Sequence, residues 1–174
     1  PLARRRVLLV RPDIDTRTPA EYAESRSKAR YPSIVVAKAE PVRILALARE
    51  RDADLVGIEE AEFFDERIVD VVVTLRDSGR HVILTGLNTD FAGRPFGPMP
   101  TLLALADEIT TLTAICMVCG ETATRTQRLV GGRPAAIDDP LIVVGGLEEG
   151  PAVETYEARC IRHHEIAPPH GAKG

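Results

Sequence analysis

Cys116-Met-Val-Cys119 and Cys160-Ile-Arg-His163 constrain this chain more than any other feature of its sequence. Each places two residues between soft or borderline ligands, and two such knuckles supply the four donors that tetrahedral Zn²⁺ takes. The chain has three Cys, an odd number, which suits a disulfide framework poorly and a mixed Cys/His site well. Two other readings compete: unrelated buried cysteines, or a thioredoxin-like redox C-x-x-C. A redox motif has no need of the second knuckle. His164 directly follows His163, so the spacing favours His163 as ligand without excluding its neighbour. With four protein ligands the site is closed and structural, pinning β segments too poor in apolar residues to hold themselves.

Upstream the texture is different. Val7–Val10, Ile34–Val36, Leu55–Ile58 and Val82–Thr85 lack polar alternation and read as strands buried on both faces, the habit of parallel sheets. Between them lie helical patterns. Residues 41–51 open on a Pro suited to a first turn, and residues 65–78 end before Gly79, where a C-terminal cap belongs. Strands alternating with helices predict an α/β fold with crossover connections. After Asn88, Phe91–Pro100 reads as a loop with aromatic anchors and Thr101–Glu108 as a short helix. Small strands follow at Leu112–Cys116, Thr126–Val130 and Leu141–Val144, with a Gly131-Gly132 hairpin turn. The expected division is an α/β core over 1–109, a zinc-ribbon β subdomain over 110–165 and an unstructured tail over 166–174.

Composition excludes several functions. The 22 Lys+Arg and 26 Asp+Glu give a net charge of -4, against a chain that wraps nucleic acid or coats an anionic membrane. The tight basic cluster Arg4–Arg6 has no interleaved aromatics on which bases could stack. No apolar run approaches the roughly 20 residues that cross a bilayer, and Val7–Val10 is too short for a signal-peptide core, so the default location is the cytoplasm. Hydrophobic residues are 44% of the 174 but aromatics only 4%, so Val, Ile, Leu and Ala must fill the core.

The run Leu55–Ile58 leads straight into Glu59-Glu60-Ala-Glu62-Phe63-Phe64. Carboxylates at the carboxyl end of a buried parallel strand sit where open α/β sheets bind ligands. One such group can hold a Mg²⁺–nucleotide and a neighbour can deprotonate a hydroxyl. The bland alternative is an acidic helix start favoured by the dipole.

A resemblance selects among these readings. Gly86-Leu-Asn-Thr-Asp-Phe-Ala-Gly-Arg-Pro-Phe-Gly-Pro-Met-Pro100, then Leu105 through Gly120, closely resembles the cellular, zinc-containing thymidine kinases. Arg11-Pro-Asp-Ile-Asp-Thr-Arg17, Ser25-Arg26, Thr124-Arg-Thr-Gln-Arg-Leu129, Val143-Val-Gly-Gly146 and Tyr156–His163 continue it in order, from about Val7 to about His164. The resemblance implies a P-loop-kinase-like sheet with a zinc ribbon and a lasso-like substrate loop. It implies transfer of the ATP γ-phosphoryl to the 5′-hydroxyl of thymidine with Mg²⁺, by a homotetramer. Glu60 resembles the general base and Glu59 the Mg²⁺–nucleotide ligand. Asp15 and Arg17 resemble a charged pair near sugar and phosphates, and Phe63, Leu87, Phe91 and Phe96 the walls around thymine. Thr126, Val143, Gly145 and Tyr156 resemble the loop over the base. Without the resemblance, Phe63 and Phe96 read equally as core, Asp15 and Arg17 as a surface ion pair, and Tyr156 as hairpin packing.

The chain departs from that family in places. None of its three Lys follows a Gly or precedes Ser or Thr, so these 174 residues hold no G-x-x-x-x-G-K-[ST] loop. The expectation is a chain that starts beyond that loop and phosphorylates thymidine only when it is supplied. The competing expectation is an inactive, zinc-stabilised relative acting as a nucleoside- or partner-binding module. Glu59 stands for the family's usual Asp, Glu62 for its Gln and Asn88 for a common Asp, and the segment Leu147–Thr155 is longer than the family's.

Overall fold

Leu55–Ile58 forms β5, and all four of its residues are buried. The computed structural model describes residues 5–14, 22–24, 30–141 and 154–171. A strand buried along its whole length needs a hydrogen-bonded partner on each side, since no water reaches its backbone. β1 (Val7–Pro12) supplies one, with Val7 opposite Leu55 and Val10 opposite Ile58. β6 (His81–Leu84) supplies the other, with Leu55 opposite His81. β4 (Ile34–Val36) pairs with the outer side of β1, giving a parallel sheet of order β4-β1-β5-β6. The expected α/β sheet is present, each strand within a residue or two of its predicted place. β2 (Tyr22–Glu24) and β3 (Arg30–Pro32) form an antiparallel pair that sequence patterning did not reveal.

Helices α1 (Arg43–Glu50) and α2 (Ile68–Asp77) carry the crossovers. Ile44, Leu47 and Ala48 of α1 and Ile68, Val71 and Leu75 of α2 face one core with Leu8, Val10, Val56 and Ile58. Each fully buried aliphatic side chain of this kind contributes about 1.5–3 kcal/mol. Gly79 ends α2 at φ 80, its N–H donating to the Arg76 carbonyl at 2.8 Å, as the capping pattern predicted. Helix α3 (Met99–Leu105) starts two residues before the predicted Thr101, because Pro98 and Pro100 occupy its first turn, where a missing N–H costs nothing. It ends before the predicted Glu108, since Ala106 is already extended.

The described contacts divide the chain into two units: Pro1–Asn88 with Phe96–Ala106, and Thr89–Pro95 with Asp107–Gly174. In the second, β9 (Arg125–Val130) pairs antiparallel with β11 (Glu154–Arg159) over six residue pairs and with β10 (Arg133–Pro134). Gly131 and Gly132 make the β9–β10 turn at φ 58 and 76, the positive pair a two-residue hairpin needs. β7 (Ala114–Ile115) and β8 (Thr122–Ala123) form a shorter hairpin than the predicted Leu112–Cys116, and Leu112 is 87% exposed. The predicted strand Leu141–Val144 lies, beyond Leu141, outside the described residues.

The tail requires a correction. Ala167 donates to the Ala135 carbonyl and accepts from Ile137, both at 3.0 Å, and the His170 ring contacts Asp139 at 2.8 Å. Residues 166–171 are therefore held, because backbone groups beside β10 need partners that hydropathy does not reveal. Among the described residues no helix is long and apolar enough to cross a membrane.

Gly97 sits at φ 45, and a Cβ there would press into the Glu62 carbonyl oxygen. Gly97→Ala is expected to destabilise the protein by about 2–4 kcal/mol, read from the shift in its urea unfolding midpoint.

Candidate active site and metal centre

The acidic turn follows from how β5 ends. Glu59 donates its N–H to the Val10 carbonyl at 2.9 Å, prolonging the β1 pairing, while Ala61 donates to the Thr85 carbonyl at 3.0 Å. Glu60 is the residue between, and it takes the left-handed conformation, φ 49 and ψ 47. Among the described residues Asp52 is the other non-glycine with positive φ. Such a backbone costs of order 1 kcal/mol or more and concentrates at functional sites. Glu59 is half-buried and Glu60 exposed, so both carboxylates stand at the carboxyl end of the central strands, where open parallel sheets take ligands.

Around this turn the first unit places three of the predicted walls. Phe63, in the 3-10 turn Ala61–Phe63, meets the Phe96 ring edge-on, with centroids 5.1 Å apart at 76°. Phe96 is buried and donates its N–H to the Asn88 carbonyl at 3.2 Å, and Leu87 is 46% exposed. Glu62 is the surprise. Its side chain is only 4% exposed, and burial pushes its carboxyl from the ordinary 4.5 to about 7, with the Glu60 charge adding to the rise. The backbone N–H groups of Glu62 and Leu87 partly offset this. A groove of about 760 Å³ lined by residues including Val7, Leu9, Tyr31, Ile34 and Arg51 contains neither Glu59 nor Glu60, so concavity alone does not locate the chemistry.

In the second unit the two knuckles converge. Ligand atoms of Cys116, Cys119, Cys160 and His163 all lie within 4.8 Å of one another. Cys119 and Cys160 sulfurs are 3.8 Å apart, and His163 Nδ1 lies 3.8 Å from Cys116 Sγ and 3.2 Å from Cys160 Sγ. Zn–S bonds of about 2.3 Å in a tetrahedron put sulfurs roughly 3.8 Å apart, so the donor set fits a metal ion such as zinc. Of the two histidines, His163 lies in this cluster, whereas His164 Nε2 sits 2.8 Å from the Phe91 carbonyl. Although burial opposes ionisation, the N–H groups of Cys160, Val118 and Cys119 draw the Cys116 thiol down to about 5. A thiolate at neutral pH is the form that binds metal.

The same unit carries a network that sequence patterning did not reveal. Arg128, 2% exposed, donates to the Pro140 carbonyl at 2.5 Å and to Glu154 at 2.6 Å, and its guanidinium lies 5.2 Å from the Phe91 ring centroid. Nothing in the charge pattern of β9 marks this Arg as interior. The predicted Thr126 lies on β9 opposite Ala158, half-buried, and Tyr156 on β11 opposite Arg128, 55% exposed. Phe91 is buried, in the turn closed by Asp90, whose carboxylate accepts the N–H groups of Ala92 and Arg94. Asp15, Arg17, Val143 and Gly145 lie outside the described residues.

An acidic turn ending a buried parallel strand, in a chain that also carries a Cys₃His cluster able to hold a metal ion, marks an α/β protein with two candidate sites. The thymidine kinase family profile matches residues 1–164. A thymidine kinase of Coprothermobacter proteolyticus is 49% identical over 165 residues, which are 95% of this chain and 78% of that relative. The chain belongs to the thymidine kinase family and is a nucleoside-kinase enzyme.

Purified protein is expected to carry about one zinc per chain by elemental analysis. Cys119→Ser should lower that content sharply and reduce Tm, and a strong chelator should reproduce the Tm loss in the parent.

Proposed function

We propose that the protein transfers the γ-phosphoryl of ATP to the 5′-hydroxyl of thymidine, giving dTMP and ADP, with Glu60 as general base. One observation carries the assignment of Glu60: an exposed carboxylate held in left-handed backbone at the end of the fully buried β5, in a member of this family. The Glu60 carboxylate takes the 5′-hydroxyl proton as the oxygen bonds to the γ-phosphorus, and the bond from that phosphorus to the bridging oxygen breaks to release ADP. Without a base at that position the attacking oxygen keeps its proton and is a poor nucleophile.

Glu59, one residue nearer the sheet, is the proposed ligand for Mg²⁺ of the nucleotide. It offers a hard oxygen donor of the kind Mg²⁺ prefers, and bound Mg²⁺ supplies charge neutralisation on the phosphates. Phe63, Leu87 and Phe96 are proposed as walls for the pyrimidine, a flat ring for which the exposed Leu87 and the edge-on Phe63–Phe96 pair offer apolar area. Phe91, Thr126 and Tyr156 carry base-contacting roles in the same proposal, and so do Asp15, Arg17, Val143 and Gly145 outside the described residues. The parallel sheet is read as a P-loop-kinase-like core, and the lasso-like substrate loop falls on 142–153, also outside them. The zinc takes no part in the chemistry and holds the second unit together. On the same resemblance the enzyme is proposed to be a cytoplasmic homotetramer.

Glu60→Gln in the full-length protein is expected to lower kcat at least ~100-fold with little change in the KM for thymidine, measured by ADP release coupled to thymidine addition. Turnover retained in that variant would remove Glu60 from the mechanism.

A further inference from the structure

Glu62 is the buried ionisable side chain that the mechanism above leaves unused. Its Oε2 is buried and has no hydrogen-bond partner, an arrangement a charged carboxylate tolerates badly. The packing around it is tight. A Cβ at Gly86 would lie 2.5 Å from Oε2 and 3.0 Å from the Met99 sulfur, so a side chain there would displace the carboxyl or the Met99 tip. The Glu62 main-chain oxygen lies against Gly97 in the same way. Leu87, which presents its N–H to the carboxyl, and Phe63, the next residue in the chain, are two of the proposed pyrimidine walls.

We infer that Glu62 is a positioning residue that works as a neutral carboxylic acid, its uncharged head filling the space between Gly86 and Met99 so that Leu87 and the Phe63–Phe96 pair stand where a nucleoside base binds. The inference rests on the nucleoside-kinase reading for its functional half and on packing alone for its structural half. The charged form cannot keep this place. An ionised head must recover hydration by leaving the interior, and repulsion from Glu60 acts in the same direction. Gly86, Leu87 and Met99, which stand around the head, bring no ionisable side chain, and Glu60 is the charged group that acts on it.

The sign of the pH dependence follows. The folded-state value of about 7 lies above the ordinary 4.5, so the folded form holds the proton more tightly than the unfolded chain. The stability this confers is complete below pH 4.5 and is lost as pH rises through about 7. Nucleoside binding needs the neutral form, so its apparent affinity falls with the neutral fraction.

The test compares the full-length protein with Glu62→Gln, which keeps the shape and cannot ionise. Between pH 6 and 8.5 the parent's KM for thymidine is expected to rise roughly ten- to thirty-fold, while its KM for ATP stays level. In E62Q the thymidine KM should remain flat across that range. The parent should also lose urea stability between pH 4.5 and 7 relative to E62Q. Parallel stability profiles in the two proteins would overturn the neutral-acid assignment. A stability difference with identical thymidine KM profiles would overturn the positioning role. Failure of the kinase reading shows separately, as absence of thymidine turnover in the parent at any pH, and the stability profiles then decide alone whether Glu62 is held neutral.

Discussion

Complete burial of β5 is the constraint from which the first unit follows. Four consecutive buried residues require parallel neighbours on both edges and apolar cover, and the chain provides the neighbours in β1 and β6 and packs α1 and α2 together against the face that carries Val56 and Ile58. The strand cannot continue once three carboxylates arrive within four residues, because two of them could not be buried beside each other. The chain leaves the sheet through a strained left-handed turn that presents Glu60 outward and folds Glu62 inward. The proposed base is thus placed at the end of a fully buried, doubly paired strand, an arrangement that helps preserve catalytic geometry.

The second unit is held by a different force. Among the described residues its knuckles share a buried cluster of Cys116, Ala123 and Cys160, with Ala158 against it, while Met117, Val118 and Ile161 beside them are exposed. So small a cluster contributes little, and the Cys₃His donor set beside it is able to hold a metal ion that would cross-link the two knuckles. Further along β9 and β11, a buried Arg takes the place of apolar filling. Arg128 reaches the Pro140 carbonyl and the Glu154 carboxylate at once, so its charge is paired where an unpaired one would cost several kcal/mol.

Legibility in the sequence follows the range of the interactions concerned. β5, α2 with its Gly79 stop, and the Gly131-Gly132 turn were readable because local hydropathy and backbone stereochemistry determine them. The knuckles were readable because metal ligation imposes its own spacing. The start of α3 is ambiguous in sequence because prolines that mark a loop also suit a first helical turn. The β2–β3 pair and the hold on residues 166–171 leave no mark in local sequence, since both depend on backbone groups finding distant partners. His163 and His164 are chemically equal neighbours, and a contact from Phe91, far away in sequence, separates their roles.

By itself the sequence determined the alternation of strands and helices, the two knuckles with their three cysteines and the position of an acidic turn at a strand end, because each is written in short-range periodicity, spacing or composition. Tertiary structure alone decided which histidine joins the cysteines, which of three neighbouring glutamates is buried, and that Arg128 lies in the interior. Those outcomes depend on desolvation, and whether a side chain meets water is set by segments that the folded chain brings to it from elsewhere.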